Sequence, residues 1–166
     1  MATITLQGNE IHTNGDLPAI GSKAPDFLLV NKDLNNVNLG EFVGKKKLIN
    51  IVPSLDTPVC ATSTKKFGNF ATDRNDLVIL TVAADLPFAM SRFCTSEKVD
   101  NVITLSMMRN QSFATDYGVL IQDGPLAGIT ARAVVVLDAD NDVIYTQMVS
   151  EIADEPDYDA ALKALN

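Results

Sequence analysis

Histidine and cysteine, the residues that most often carry chemistry, are scarce here: one histidine and two cysteines in 166 residues. That count is too small for a structural zinc site, which takes four such ligands. Cys60 and Cys94 also stand too far apart to form the C-x-x-C pair of a disulfide oxidoreductase. His12 alternates with Ile11 in a pattern that turns it to solvent. A Cys–His hydrolase is weakened accordingly, since its nucleophile needs an imidazole base. Basic residues are few as well, thirteen against twenty-one acidic, a net charge of −8. That balance argues against nucleic acid or an anionic membrane as a partner. The run Lys45-Lys46-Lys47 is short and reads as a solvated lead into a strand. No apolar run approaches the roughly 20 residues of a membrane span. Met1 to Gln7 has neither the charged region nor the apolar core of a signal peptide. A cytoplasmic location is the default expectation, and a disulfide there is transient and catalytic. Repeats, low-complexity tracts and linkers are missing too. With 46% apolar and 20% charged residues, the chain is expected to form one domain over residues 1–166.

What is present alternates. Thr3-Ile4-Thr5-Leu6 and Glu10-Ile11-His12-Thr13 flank Gln7-Gly8-Asn9 and predict a small β-hairpin that caps or edges the domain. A strand is expected at Phe27–Val30 and a short helix around Glu41-Phe42. Residues 48–52 and 77–83 are apolar runs of buried-strand type, separated by a helical stretch from about Val59 to Ala71. Asp85 is placed to cap a second helix that begins near Pro87 and carries Phe88, Met90, Phe93 and Cys94. A strand at 102–105 and a short helix at 111–117 follow. Arg132 to Leu137 and Val143 to Val149 form a hairpin around Asp138–Asp142, and a last helix starts near Pro156. Buried strands alternating with helices predict an α/β fold whose central mixed sheet is flanked by helices, with the N-terminal β-hairpin added.

The informative stretch is Pro53-Ser54-Leu55-Asp56-Thr57-Pro58-Val59-Cys60. Pro53 ends a strand, Asp56 or Thr57 can cap a helix, and Pro58 suits a first helical turn because it has no N–H to leave unpaired. Cys60 then falls in that first turn, where free N–H groups and the helix dipole favour negative charge. The competing reading is a buried free cysteine acting as a small hydrophobe. Thr57, three residues before Cys60, either shares its pocket or only caps the helix. Arg132 opens a strand of alanine and valine, an odd place for a cation unless it snorkels from the strand end. Cys94 beside Phe93 reads, by residue type, first as a helix core residue.

Pro53-x-x-x-Thr57-x-x-Cys60 resembles the PxxxTxxC signature of the peroxiredoxins, and Pro-Ser-x-Asp-Thr-Pro-Val-Cys-Ala is similar to their thiol peroxidase subgroup. The segments from Ala84 to Ala89, Ser91 to Cys94 and Ala131 to Val134 are similar to it as well. The likeness runs from Gly21 to the tail Glu155-Pro156-Asp157-Tyr158. Ala83, where serine is common, and Met107-Met108, where Thr-Phe is more usual, depart from the pattern away from the thiols. The resemblance implies a thioredoxin-like fold and a peroxidase of the atypical 2-Cys type. Cys60 would reduce hydrogen peroxide and organic hydroperoxides and pass to a sulfenic acid. Cys94 would resolve that acid as an intramolecular disulfide. Thr57 and Arg132 would hold thiolate and peroxide, and Pro53 would shield the thiolate. It also implies thioredoxin as reductant, a homodimer, and neither haem nor flavin, because the thiol carries the electrons.

Ionisation is not what makes such a thiol fast. For any thiol, lowering the pKa from about 8.5 to about 6 raises the thiolate share at neutral pH roughly 30-fold. A Brønsted slope of about 0.4–0.5 takes back roughly tenfold. Donors fixed on the developing charge, worth about 3 kcal/mol each, must contribute more. Two rival readings stand beside the peroxidase: a disulfide oxidoreductase, and a binding module of the same fold with inert cysteines.

Overall fold

A computed structural model describes residues 1–166. The first two strands, β1 (Thr3–Leu6) and β2 (Asn9–His12), form the expected hairpin, with Ile4 opposite Ile11. Its two-residue turn, Gln7-Gly8, has φ of +52° and +81°, the sign that matches the twist of the flanking strands.

The main sheet has seven strands in the order β4-β3-β7-β6-β5-β8-β9. These are β3 (Leu29–Val30), β4 (Asn36–Val37), β5 (Lys46–Ile51), β6 (Leu77–Ala83), β7 (Ile103–Ser106), β8 (Ala133–Leu137) and β9 (Val143–Met148). Strands β5, β6 and β7 are parallel, joined through α1 (Pro58–Ala71) and α2 (Pro87–Glu97). On the other side of β5, β8 and β9 continue the sheet antiparallel. Two shorter helices, α3 (Ser112–Asp116) and α4 (Tyr158–Ala164), complete the order. Gly118, closing α3, has φ of +70°, and a Cβ there would meet the Asp16 carbonyl oxygen at 2.0 Å.

Alternation along each strand divides the core. Ile49 and Ile51 join Leu80, Val82, Val135 and Phe113 on one face. Leu48 joins Ile79, Val134, Val136, Phe67 of α1 and Leu165 on the other. Side chains buried this completely contribute roughly 1.5–3 kcal/mol each. Lys47 shares the face of Ile49 and Ile51. It is 0% exposed, its Nζ has no hydrogen-bond partner, and burial pushes its pKa down. The expectation of a solvated lead at Lys45–Lys47 therefore fails at Lys47, because strand alternation turns it inward.

Other local expectations shift in the same way. The strand expected at Phe27–Val30 is confined to Leu29–Val30, and that at 102–105 lies at Ile103–Ser106. The last helix starts at Tyr158, where the Asp157 carboxylate accepts from the Ala160 N–H at 3.0 Å. Asp85 does not cap α2, whose N-terminal flank is Leu86 with Pro87 as first helical residue. Its carboxylate turns instead to two donors on the neighbouring loop.

Candidate active site

That loop leads into the helix that carries Cys60. After β5, the Val52 N–H extends the pairing by donating to the Val82 carbonyl at 3.0 Å, and the buried Pro53 ends it. Asp85 then takes the Ser54 hydroxyl at 2.8 Å and the Leu55 N–H at 2.7 Å, bracing the turn from the end of β6. Thr130 adds a buried bond from its hydroxyl to the Val52 carbonyl at 3.0 Å. Thr57 is the residue flanking α1, but neither it nor Asp56 caps the helix with a side-chain oxygen. The Thr57 hydroxyl donates back to the Ser54 carbonyl at 3.0 Å, which closes the turn. Pro58 is the first helical residue, as expected.

Cys60 lies in the first turn of α1 and is 0% exposed. Val52, Leu55, Ala83 and Met90 surround it, with Phe93 of α2 packed against them. Ser63 and Thr64, one turn on, return their hydroxyls to the Cys60 carbonyl at 3.1 and 2.8 Å.

Arg132 reaches this sulfur from the sheet. It immediately precedes β8 and, by alternation, shares the face of Val134 and Val136 that α1 covers. The pairing of Ile51 with Ala133 draws the two segments level. The side chain is buried, and its Nη1 donates to Cys60 Sγ at 3.2 Å. Its Nε donates to the Ile152 carbonyl at 2.9 Å. No carboxylate lies within ion-pair distance of it. Glu155, whose charge Arg132 feels, is committed to the Tyr158 hydroxyl at 2.9 Å and to Lys66 at 3.3 Å. A buried, unpaired guanidinium costs several kcal/mol, and it recovers a partner when the sulfur carries negative charge.

Cys94 is in a different place. It lies on α2, half-buried, and lines a cavity of about 600 Å³ with Lys32, Lys98 and Val102. Burial raises its pKa, while the Lys32 charge opposes that. Its neighbour Phe93 points to the other side, against the Cys60 cluster. Both thiols are free. A second cavity, of about 680 Å³, lies between the start of α1 and α2, walled by Leu55, Thr57, Pro58, Arg92 and Phe93. Of the residues singled out from the sequence, Arg132 meets the Cys60 sulfur, Pro53 and Thr57 lie on the turn that leads into α1, and Cys94 lines a separate cavity. His12 pairs with Asp123 at 2.7 Å, half-exposed. Sequence reasoning does not single out Asp85, Thr130 or the Ile152 carbonyl as parts of this site. Each acts across the chain, and only Asp85 stands inside a recognisable motif.

The family model for redoxins matches residues 19–162. The chain is 53% identical over 165 residues to thiol peroxidases of Mycobacterium tuberculosis and Mycobacterium bovis, covering 99% of each chain.

The chain belongs to the thiol peroxidases of the redoxin family.

Solved structures place the same fold around it. A peroxiredoxin-like protein from Aquifex aeolicus superposes with a TM-score of 0.92 at 41% identity, covering 99% of this chain and 96% of that one. A thiol peroxidase from Chromobacterium violaceum gives 0.90 at 28% identity, covering 98% and 94%. The thioredoxin-like α/β fold expected from the sequence, with its mixed sheet, flanking helices and N-terminal hairpin, is therefore the fold observed. No helix is long and apolar enough to cross a membrane.

Proposed function

We propose that this peroxidase reduces hydrogen peroxide and organic hydroperoxides at Cys60. The observation that carries the reading is the buried guanidinium of Arg132 at 3.2 Å from the Cys60 sulfur, with no carboxylate to claim its charge. The sulfur of the thiolate attacks the terminal oxygen of the peroxide, and the O–O bond breaks. The other oxygen leaves with a proton as water or an alcohol, and Cys60 becomes a sulfenic acid. Arg132 and the N–H groups of the first turn of α1 lie where the developing negative charge is held. Thr57 and Pro53 shape the turn, and the cavity walled by Thr57 and Phe93 supplies the approach.

Cys94 then condenses with the sulfenic acid, releasing water and forming an intramolecular disulfide. A dithiol of the thioredoxin kind reduces it by two successive exchanges. The disulfide step needs movement, because Cys60 is closed off in its own apolar cluster while Cys94 lines a separate cavity. The protein acts as one thioredoxin-like unit over residues 1–166, as a homodimer in the cytoplasm, with no bound cofactor or metal.

One equivalent of peroxide added to the reduced protein tests the scheme. Both thiols disappear within seconds and the mass falls by that of two hydrogens. Survival of both thiols would refute the scheme. Loss of Cys60 alone, with oxygen added to the mass, would remove Cys94 from it.

A further inference from the structure

The N-terminal hairpin lies outside the seven-stranded sheet, yet it is tied to the reacting end of the molecule. Glu151, shortly after β9, sends its carboxylate into the hairpin. It accepts from the Thr5 hydroxyl at 2.6 Å and from the N–H groups of Gln7 and Gly8, both at 3.1 Å. The positive φ of Gln7 and Gly8 turns those successive N–H groups toward one point. These bonds, with the Thr5 hydroxyl foremost, hold the Glu151 pKa down to about 2, so the carboxylate stays charged. Main-chain bonds strengthen the join: Thr5 N–H donates to the Ser150 carbonyl at 2.7 Å, and Ile152 N–H to the Thr5 carbonyl at 2.9 Å.

Ile152 is where this clasp meets the site. Its side chain is buried with Ile4 and Ile11 of the hairpin and with Ala131, next to Arg132. Its N–H is held by Thr5, and its carbonyl accepts Arg132 Nε. The guanidinium thus makes one bond to Cys60 and one to a carbonyl whose position the hairpin sets. A planar fork on a long stem is fixed in rotation only when both ends are held.

We infer that Glu151 is a positioning residue for Arg132, acting through the N-terminal hairpin and the Ile152 carbonyl that the hairpin holds in place. Glu151 touches neither peroxide nor sulfur. Its removal loosens the clasp, lets the carbonyl drift and lowers the share of molecules with the guanidinium aligned. The inference rests on the reading above that Arg132 acts on the peroxide.

A double-mutant cycle in a Cys94→Ser background, where Cys60 is the only thiol, tests it. The rate of peroxide consumption in a single turnover is measured for Glu151→Ala, Arg132→Met and both together. Misplacing a catalytic group by about 1 Å costs up to ~10²-fold, so a loosened one should cost ~10-fold in Glu151→Ala. In the Arg132→Met background the same change should cost less than about twofold, because nothing is left to position. Thr5→Val, which removes one bond and leaves the carboxylate, should lose rate in the same direction but less. It runs the same cycle should Glu151→Ala fail to fold. Glu151→Gln, which keeps one acceptor oxygen, should restore part of the rate. Equal slowing in both backgrounds would show a merely structural clasp and overturn the inference, as would Glu151→Ala at the unmutated rate. Arg132→Met at the unmutated rate would overturn it together with the role of Arg132. A slow Arg132→Met beside additive losses would overturn this inference alone.

Discussion

Cys60 and Cys94 are the same side chain in two helices, and their surroundings differ in every respect that governs sulfur chemistry. Cys60 stands at the start of α1, closed off from solvent, with a guanidinium on its sulfur and an apolar wall elsewhere. Cys94 stands late in α2, half-buried, facing a cavity, with no hydrogen bond recorded to its sulfur and its pKa pushed up by burial. The first setting puts a cation on the sulfur and excludes water, which suits the attacking role proposed for Cys60. The second favours a neutral thiol beside an open cavity, which suits the resolving role proposed for Cys94. A sulfur's role here follows from what the fold aims at it, not from residue type.

The largest break of this contrast is Cys60→Ser. It is expected to abolish peroxide turnover while the protein still folds, because serine fills nearly the same volume but has no sulfur to donate electrons. Appreciable turnover in the presence of a thiol reductant would show that Cys94, or neither cysteine, is the attacking group. Next is Arg132→Met, which keeps most of the buried stem and removes the donor. The peroxide rate should fall by ~10²-fold, the loss typical of a removed transition-state donor. An unchanged rate would make the two cysteines more alike than their surroundings suggest.

Parts of this contrast are legible in the sequence. Residues 48–52 and 77–83 announce themselves because parallel strands buried on both faces are nearly continuous apolar runs, broken here only by Asn50 and Thr81. Pro53, Thr57 and Pro58 fix a strand end and a helix start within eight residues of chain, so the position of Cys60 in a first helical turn is local information. Its contact with Arg132 is not local, since it depends on the antiparallel register that sets Ile51 opposite Ala133. The resemblance supplied that pairing where spacing could not. The expectation of Asp85 as a cap fails because the loop donors it serves lie about thirty residues back in the chain, at Ser54 and Leu55. The expectation for Lys47 fails because three lysines in a row look solvated, whereas alternation makes the third one inward-facing.

A smaller intervention sharpens the contrast. Cys94→Ser should leave the first reaction of Cys60 with peroxide within about twofold, since Cys94 is absent from its surroundings. It should also stop the chemistry at a sulfenic acid that a 1,3-diketone traps. In the unmutated protein, closing the disulfide must bring together sulfurs that now face different spaces, and a disulfide needs Cα atoms within about 7 Å. Residues 57–65 and 86–96 are therefore expected to lose ~10-fold or more of their hydrogen-exchange protection on oxidation and regain it on reduction. Unchanged protection beside a confirmed Cys60–Cys94 bond would mean the two environments already communicate.

The smallest effect concerns the resting thiol of Cys94. Burial favours its neutral form, and the nearby Lys32 charge works the other way. In a Cys60→Ser protein, alkylation of Cys94 should reach half its maximal rate at a pH above the usual thiol range. Lys32→Met, removing the opposing cation, should move that midpoint higher still and slow alkylation at fixed pH by about twofold, the scale of a partly exposed charge pair. Stability has the same sign. Between the thiol's unfolded and folded pKa values the unfolded chain has released its proton and the folded chain has kept it, so raising pH through that alkaline window favours unfolding. Below it the contribution is fully present, and Cys94→Ser should flatten the decline. A midpoint at or below that of a free thiol would place Cys94 in a charge-stabilising setting after all, and the distinction between the two cysteines would narrow to the single guanidinium on Cys60.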